Sequence, residues 1–460
     1  MPEPLIDPGL CERVISEALA TGGEWAEIFA EDRASGSAVL DDRRIEELSS
    51  GRSRGAGIRV IAGETTGFAH TADLSEAGLL AAARVASAVA KGAAQSQAVS
   101  LPAGSSLPEP ERPMDRAEVV ALLEGADATV RAQGASISQS SVGLADGYRR
   151  FVVANSDGLL ASDHQVRTRF NVTCVASGDT GMQTGYETIA RTEGPGILTE
   201  EAITLVAEEA ARRALVKLDA RPAPSGEVPV VLAGGSGGIL FHEACGHGLE
   251  ADHIVKDTSV YAGRVGQRVA SELVTLVDDG TVAGEWGYFN VDDEGAPAAR
   301  NVLIENGVLT EYMWDAVRAR RAGRRSTGNG RRQSYQHLPM VRMTNTYLLA
   351  GNSTAADIIA DTDFGVYVAK LGGGQVNTAT GDFVFGTSEA YLIEGGRITA
   401  PLRDANLIGN GPEILQRIDA VANDFAMTPG TCGKDGQSVP VGCGQATLRL
   451  TGVTIGGTAA

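Results

Sequence analysis

The chain has 460 residues, a length that accommodates two or three domains with separate hydrophobic cores. Its hydrophobic content of 43% and charged content of 21% are typical of a globular protein. A formal net charge of −19 argues against direct binding to nucleic acid or to an anionic membrane.

The first half of the chain is predicted to contain helices and strands in turn. Apolar periodicity and capping residues predict helices over residues 8–20, 75–92, 115–134 and 199–218. Strand patterns cover residues 26–42, 57–71, 148–166 and 166–176, with a hairpin turn at Asp157-Gly158. A Pro/Ser-rich connector spans residues 95–113, and the segment DARPAPSGE at 219–227 is the best domain boundary.

The second half reads mainly as strands and loops. Residues 228–234 form a short apolar strand, and hairpins turn at Asn306-Gly307 and Gly395-Gly396. Helices are predicted near 313–323 and 411–424. The fold class is therefore α+β with two domains: an N-terminal α+β domain, residues 1–222, and a β-rich C-terminal domain, residues 223–460.

Cellular location is indicated by three further features. The N-terminus lacks the basic start and apolar run of a signal peptide. No stretch is apolar for the roughly 18 residues that a membrane helix needs. The five cysteines are scattered and odd in number, unlike a disulfide framework. We therefore expect a cytoplasmic protein that contacts no membrane.

Residues 237–253, GGILFHEACGHGLEADH, bring His242, Glu243 and His247 into six positions. A zinc-peptidase helix reads H-E-x-x-H, with its histidines one turn apart. With H-E-x-x-x-H the two side chains are about 140° apart around a regular helix and cannot share an ion. The helix must bulge or end between them, and Gly246 and Gly248 tolerate such a backbone. The alternative is a helix whose histidines bind nothing.

A third metal ligand would have to come from another part of the chain, because a catalytic zinc has three protein ligands and a water. Cys432 and Cys443 are candidates, both in a segment predicted to form glycine-rich loops. Cys245 lies inside the motif but points away from its first histidine. Cys11 and Cys174 lie on apolar faces typical of core residues.

A serine hydrolase is an alternative interpretation. The sequence GGSGG at 234–238 matches the nucleophile elbow G-x-S-x-G, so that Ser236 would be the nucleophile and His337 its base. The hairpins that follow do not resemble the strand–helix alternation of an α/β-hydrolase. The basic segment 318–332 lacks the interleaved aromatics of a nucleic-acid site. It is either a solvated helix end or a patch that binds carboxylates or carbonyls of a peptide.

Six separated stretches, in order, resemble the metal-bearing TldD branch of the TldD/PmbA family of metallopeptidases. They are FHEACGHGLEAD, DDEGAPA, RRSTGNGRRQSY, RMTNTYL, GNGPEIL and TPGTCGKDGQSVPVGCGQATLRL. The resemblance covers the second half of the chain closely and the first half more loosely. It implies an N-terminal α+β domain and a β-rich catalytic domain that carries a distorted HExxxH helix.

The site residues carried over by this resemblance are His242, His247 and Cys432 as metal ligands and Glu243 as general base. The family's cysteine is the one in C-G-K-x-G-Q, so that Cys443 lies where no ligand is expected. The implied cofactor is Zn²⁺, with another divalent metal such as Fe²⁺ as the alternative. The implied reaction is cleavage of a peptide bond by a metal-activated water.

The family's substrates and partners are also implied by the resemblance. The substrate would be an unfolded or modified peptide, such as a leader or precursor peptide. The assembly would be a dimer, either a heterodimer with a PmbA/TldE-like subunit that lacks the motif or a homodimer. A non-catalytic, metal-binding scaffold subunit remains as a further alternative.

Substrate binding by the main chain is predicted at Gly372, Gly373 and Gly374, which follow an apolar strand in GVYVAKLGGGQVNTATGDFVF. A peptidase that accepts many unfolded chains can bind them as an added strand, and glycine allows another backbone to approach closely. The alternative is that these glycines only form a long turn.

Overall fold

An antiparallel sheet of six strands organises the first half of the chain. A computed structural model describes residues 5–88, 99–102, 107, 114–179, 181–377 and 379–456. The strand order is β3-β2-β1-β4-β5-β6. The strands are β1 (Trp25–Asp41), β2 (Arg44–Ala62), β3 (Thr65–Thr71), β4 (Ile137–Asn155), β5 (Leu160–Gly178) and β6 (Gly181–Arg191).

Four helices pack on one face of this sheet: α1 (Pro8–Leu19), α2 (Glu76–Ser87), α3 (Arg116–Ala132) and α4 (Glu200–Val216). Each begins after a side chain that accepts a hydrogen bond from the first turn, as at Asp7 and Thr199. The four predicted helices are confirmed, although α2 ends at Ser87. The predicted connector, residues 95–113, lies largely outside the described residues. None of the described helices has the length and apolar character needed to cross a bilayer.

The second half contains two larger sheets and short helices. The strands are β7 (Arg221–Pro222), β8 (Gly226–Leu232), β9 (Leu276–Asp279), β10 (Arg300–Glu305), β11 (Val308–Leu309), β12 (Gly330–Arg331), β13 (Met340–Val341), β14 (Asn345–Leu348), β15 (Phe364–Val376), β16 (Asp382–Glu394), β17 (Arg397–Arg403), β18 (Asn406–Asn410), β19 (Ile418–Val421), β20 (Ala426–Lys434), β21 (Gln437–Gln445) and β22 (Leu448–Gly456). The helices are α5 (Gly238–Phe241), α6 (Ala251–Ile254), α7 (Ala316–Arg321), α8 (Ala355–Ala360) and α9 (Gly411–Gln416).

One of the two sheets has the strand order β11-β10-β9-β14-β21-β20, which makes β20 an edge strand. In the other sheet, neighbouring strands pair in the order β15-β8-β22-β18-β16. Strand β15 also pairs with β16, so that these five strands form a closed ring. A large apolar core lies between these sheets and the helices. The protein is thus a mixed α+β fold. Strand β7 pairs with β17, which places Arg221 and Pro222 in a sheet of the second half, just before the predicted boundary.

Predictions for the second half were less accurate for helices than for hairpins. The hairpins at Asn306-Gly307 and Gly395-Gly396 are confirmed, and all four turn residues have positive φ. The helix predicted near 313–323 is shorter, as α7. The helix predicted over 411–424 is wrong beyond Gln416, because the chain there turns into β19 and pairs with β22.

The second face of the six-stranded sheet packs against the second half of the chain. Arg332 lies in this interface with no exposed side-chain surface and pairs with Glu27 of β1, while Arg59 of β2 bonds Glu294 at 2.6 Å. Tyr335 packs there beside buried aromatic rings of β1 and β4. The solvated-helix interpretation of the basic segment 318–332 is therefore wrong at its C-terminal end, where the arginines are buried contacts between the two halves.

Candidate metal centre

The helix that carries the two histidines changes its winding at the motif. Helix α5 passes at His242 into a turn of π-helix, His242–Gly246, and then into a 3₁₀ turn, His247–Leu249. A π-turn adds one residue to the helical repeat, which compensates for the extra residue in H-E-x-x-x-H. The two rings consequently lie on the same side, with their centroids 5.2 Å apart.

Gly246 and Gly248 have a different structural role from the one predicted from the sequence, which was to tolerate an irregular backbone. Gly246 has an ordinary helical φ of −59°, so that its backbone does not require glycine. Instead, a Cβ at this position would lie 2.1 Å from Met343 Sδ, and one at Gly248 would lie 2.9 Å from the ring of Tyr261. The glycines let the helix pack closely against neighbouring side chains.

A metal ion fits between the side chains of His242, His247 and Cys432. Their ligand atoms all lie within 4.8 Å of one another, and His247 Nε2 is 3.5 Å from Cys432 Sγ. Tetrahedral bonds of zinc to nitrogen and sulphur place ligand atoms roughly 3.5 Å apart. Both ring nitrogens of His242 are buried and lack a hydrogen-bond partner among the described residues. A metal bond would satisfy one of them.

Cys432 reaches this position on a β-hairpin and not on a loop, which corrects the sequence prediction for both Cys432 and Cys443. Strands β20 and β21 pair from Ala426 to Gln445, and Cys432 lies opposite Val439. The turn residues Asp435 and Gly436 both have positive φ, the conformation for which Asp-Gly turns are favoured. The many glycines of this segment concealed the strand pattern.

Glu250 and Lys434 orient the cluster, and neither was singled out in the sequence. His247 donates from Nδ1 to Glu250 Oε2 at 2.8 Å, which leaves Nε2 to face Cys432. Lys434 in turn donates to Glu250 at 2.8 Å and to Asp252. Glu250 follows His247 by one helical turn and Lys434 follows Cys432 by two strand positions, and both spacings place side chains on a common face. These spacings in the sequence could have identified Glu250 and Lys434 as neighbours of His247 and Cys432.

The charges around the cluster favour a cation. Burial alone would raise the pKa of the Cys432 thiol, but His242 and His247 lower it to about 4. Burial alone would lower the pKa of His247, but Glu250 and Cys432 raise it to about 10. A thiolate and a carboxylate therefore lie in a buried site beside two imidazoles. A divalent cation there would meet the same negative charges and replace the imidazole protons.

Glu243 lies at the edge of the cluster and is not one of its grouped ligands. Its Oε2 is 3.6 Å from His247 Nε2, the nitrogen that also faces Cys432. Its side chain is 26% exposed, whereas that of His247 is 6% exposed. A carboxylate in this position can contact both the metal site and a molecule that enters from solvent.

Comparison with known proteins identifies the family of this chain. Models of the PmbA/TldA metallopeptidase match residues 26–90 as domain 1, residues 109–218 as the central domain and residues 225–457 as the C-terminal domain. The metalloprotease TldD homolog of Haemophilus influenzae is 40% identical over 461 residues, which cover 95% of this chain and 93% of that protein. The chain belongs to the TldD/PmbA family of metallopeptidases.

Other relatives add detail to the family assignment. The zinc metalloprotease TldD homolog of Saccharolobus solfataricus is 33% identical over 247 residues, which cover 54% of this chain and 55% of that protein. The crystal structure of TldE from Thermococcus kodakarensis has a TM-score of 0.75 at 23% identity and covers 97% of this chain and all of that one. The structural likeness supports the fold, and the names of the curated relatives support a metallopeptidase in general.

The remaining cysteines of this TldD/PmbA chain differ from Cys432. Cys11 and Cys174 lie in the two apolar cores of the first half, as expected, and burial raises the pKa of each thiol. Burial likewise raises the pKa of Cys245 to about 12. Cys443 is buried on β21, and its sulphur, like that of Cys432, raises the pKa of His242 against the effect of burial. It therefore lies beside His242 but outside the group of three ligands.

The residues proposed for a serine hydrolase have other partners in this family member. Ser236 Oγ accepts a hydrogen bond from the backbone N–H of Leu371 at 2.8 Å. His337 Nδ1 lies 2.8 Å from Ser334 Oγ. Among the described residues, the structure gives neither side chain the other as a partner. The serine of the GGSGG segment therefore has a structural contact with β15.

The glycines of GGGQV lie within strand β15, so that the long-turn interpretation is wrong. The pairing of β15 with β16 is irregular between Leu371 and Gly374, and β15 pairs with β8 only at residues 366–368. A Cβ at Gly373 would meet nothing within 4 Å, whereas one at Gly374 would lie 2.1 Å from Phe385. Strand β15 also contacts the π-turn that carries His242. Beyond residue 368 the edge of β15 no longer pairs with β8.

Proposed function

We propose that this chain is a metal-dependent peptidase that cleaves unfolded or modified peptides, with His242, His247 and Cys432 as metal ligands. The observation that carries the proposal is the convergence of these three buried ligand atoms within 4.8 Å of one another. The names of the curated relatives, metalloprotease and zinc metalloprotease, support the same class of activity. Zinc is the proposed metal, because two imidazoles and one thiolate are ligands that it prefers, and Fe²⁺ is the alternative.

A bound divalent cation would polarise the scissile carbonyl and make a water molecule at the site more acidic. The protein's own residues do the rest. Glu243 accepts the proton of the attacking water and transfers it to the leaving amine, a role that its partial exposure beside His247 Nε2 supports. Glu250 holds the His247 ring by Nδ1 and leaves Nε2 to face Cys432, where it would be available as a metal ligand.

The substrate would bind by its main chain at the free edge of β15. An extended peptide that pairs with Gly372–Gly374 would run beside the π-turn, and the open space at Gly373 supports a close approach of two backbones. Recognition of this kind depends little on side chains and therefore suits leader or precursor peptides of varied sequence. Folded proteins would be poor substrates, because their strands are already paired.

The proposed assembly is a cytoplasmic dimer, either with a PmbA/TldE-like subunit that lacks the metal motif or with a second copy of this chain. The TldE structure, which a subunit of the first kind would resemble, shares the fold of this chain. Neither direct nucleic-acid binding nor membrane contact is part of the proposal, and the net charge of −19 is consistent with both exclusions.

The experiment that tests the proposal combines metal analysis with peptide cleavage by the purified protein, alone and with a candidate partner subunit. We expect about one bound metal ion per chain, cleavage of an unstructured peptide, loss of cleavage with a chelator and its return when zinc is added. Inhibition by a serine reagent but not by a chelator would favour a serine hydrolase. Metal binding without turnover in either assembly would favour a scaffold subunit.

A further inference from the structure

A cavity rich in arginine lies between the two halves of the protein, on the far side of the hairpin that carries Cys432. Its volume is about 290 Å³. We call it the arginine cavity, because five arginines are among its lining residues: Arg33, Arg149, Arg167, Arg331 and Arg332, the last with its side chain fully buried against Glu27. The first three project from β1, β4 and β5 of the six-stranded sheet, and the last two come from the end of the basic segment. This concentration of positive charge contrasts with the net charge of −19.

Among the described residues, three of these arginines form no hydrogen bond with a carboxylate. Arg167 donates to the side chain of Gln165 and to two backbone carbonyls, and Arg331 donates to the carbonyls of Met343 and Pro440. Arg33 donates to the carbonyl of Gln333 and lies 3.8 Å from Glu31, with 43% of its side chain exposed. Their positive charges are therefore incompletely balanced.

The other two arginines are paired but not saturated. Arg149 bonds Glu31 at 2.6 Å and Asp293 at 2.8 Å, and Arg332 pairs with Glu27. Nevertheless, Arg149 Nη2 and Arg332 Nη1 are buried donors without a hydrogen-bond partner in the part of the chain that the structure describes. The guanidinium carbons of Arg149 and Arg332 lie 5.5 and 4.2 Å from the ring centroid of Phe29, so that a π-face and not a second carboxylate is the further neighbour of these cations.

The three acidic residues of the lining are fewer than its five arginines. These acids are Asp146, Asp292 and Asp293, and Asp293 forms an ion pair with Arg149. Asp292 is buried, and burial together with Glu294 raises its pKa well above the usual range, which favours the neutral carboxyl. In the same way, burial and the neighbouring guanidinium groups lower the pKa of Arg167 to about 9. An anion in the cavity would relieve the repulsion among the arginines.

The cavity adjoins the metal centre through one strand. Thr431 and Pro440 form part of its wall, and they pair across the hairpin next to the pair formed by Cys432 and Val439. Neighbouring strand residues point to opposite faces, so the cavity and the Cys432 thiol lie on opposite sides of β20. Because β20 is an edge strand and an extended chain advances about 3.3 Å per residue, a few residues of peptide can pass from one side to the other.

We propose that the arginine cavity binds a carboxylate of the peptide substrate, from an acidic side chain or the C-terminus, several residues from the scissile bond. The inference rests on the proposed peptidase function and adds a preference for acidic peptides to it. Guanidinium groups match the two oxygens of a carboxylate. The rings of Trp286 and Phe289 in the wall would contact the apolar part of the same residue. Main-chain pairing at β15 and charge recognition here would then act on one peptide.

The test measures binding separately from cleavage. A labelled unstructured peptide is prepared in versions with Glu or Gln and with a free or amidated C-terminus, and fluorescence anisotropy gives Kd with the zinc-loaded Glu243→Gln protein. The variants Arg33→Gln and Arg167→Gln are compared in that background with Arg397→Gln, an exposed arginine of β17 outside the cavity. Thermal unfolding checks the fold of each variant. If Arg167→Gln does not fold, Arg33→Gln, at the exposed mouth, is sufficient.

We expect at least one carboxylate-bearing version to bind about tenfold more tightly than the version without carboxylates. The ratio should fall toward one in Arg33→Gln and Arg167→Gln and stay unchanged in Arg397→Gln. Loss of the preference when Gln replaces Glu would identify an acidic side chain as the bound group. Loss of the preference on amidation would identify the C-terminal carboxylate. Equal binding of all versions, or an unchanged ratio in folded cavity variants, would overturn the inference. A charge preference without any cleavage by the wild-type protein would instead refute the peptidase function and leave the binding site standing.

Discussion

His247 donates from Nδ1 to the carboxylate of Glu250 at 2.8 Å, and this contact determines which nitrogen of the ring faces Cys432. Glu250 is itself held by Lys434, which lies two residues after Cys432 on the same strand. A histidine ligand, its carboxylate and the strand that brings the thiolate are thus joined in one buried network. Such outer partners fix the ring orientation of metal-binding histidines and raise their basicity.

We expect Glu250→Gln to lower metal affinity by about 10- to 100-fold, the usual effect of removing a carboxylate behind a histidine ligand. Competition with a chelating dye would measure the dissociation constant. Asp252→Asn is the matched control, because Asp252 contacts Lys434 in the same network but not His247. Equal affinities in Glu250→Gln and the wild type would show that Glu250 does not orient the ligand.

Glu243→Gln should abolish most cleavage while retaining the metal. Glutamine keeps the shape of the side chain but cannot accept the proton of the attacking water, which reduces kcat by about 10²- to 10⁴-fold. Metal content and peptide turnover would be measured on the same sample. Glu272→Gln is the control, because that side chain is 79% exposed. Wild-type turnover in a metal-loaded Glu243→Gln protein would contradict the assigned role.

Cys432→Ala should lose most of the bound metal, because it removes one of three protein ligands from a buried site. Cys443→Ala should retain it, since Cys443 lies beside His242 but outside the group of ligand atoms. Both cysteines are buried on the same hairpin, which makes them a matched pair for elemental analysis. Metal loss from Cys443→Ala with retention in Cys432→Ala would reverse the assignment.

Gly373→Val should raise KM for an unstructured peptide, or prevent its cleavage, with the metal still bound. A Cβ there has no other atom within 4 Å, and the valine side chain would project where a substrate backbone approaches. Gly51→Val, at an equally open position on the exposed part of β2, is the control. Unchanged kinetics in folded Gly373→Val, or efficient cleavage of a stable folded protein, would exclude strand addition at β15.

Glu27→Gln should reduce the free energy of unfolding by about 3–5 kcal/mol, because Arg332 and Arg59 would lose a charged partner inside the interface between the two halves. The opposite case is Glu76→Gln, which breaks an ion pair with Arg13 that is about half exposed and should cost about 1 kcal/mol or less. Urea unfolding followed by tryptophan fluorescence would compare the two. Similar values for both variants would show that the buried pair contributes little.

The helices of the first half and the hairpin turns could be predicted from the sequence because their signals are local. Helix α4 follows Thr199, an N-cap, and buries one apolar face at helical spacing. The turn at Asn306-Gly307 requires two residues that tolerate positive φ. In the same way, the spacing of His242 and His247 required an irregular helix, since a regular one points them apart. Propensity, capping and helical geometry act within a few residues and are therefore visible in the sequence.

Contacts between distant residues were decided by the tertiary structure alone. Cys432 and His247 are 185 residues apart, and no periodicity relates them, so only the family resemblance selected this cysteine over Cys443. Glycine is needed at position 246 because of Met343, a residue distant in the sequence. A Cβ at position 246 would lie 2.1 Å from Met343 Sδ. The burial of Arg332 likewise depends on Glu27 from the opposite half. Side chains become partners only when the sheets pack, and the free energy of that packing is distributed over the whole core and not over any local segment.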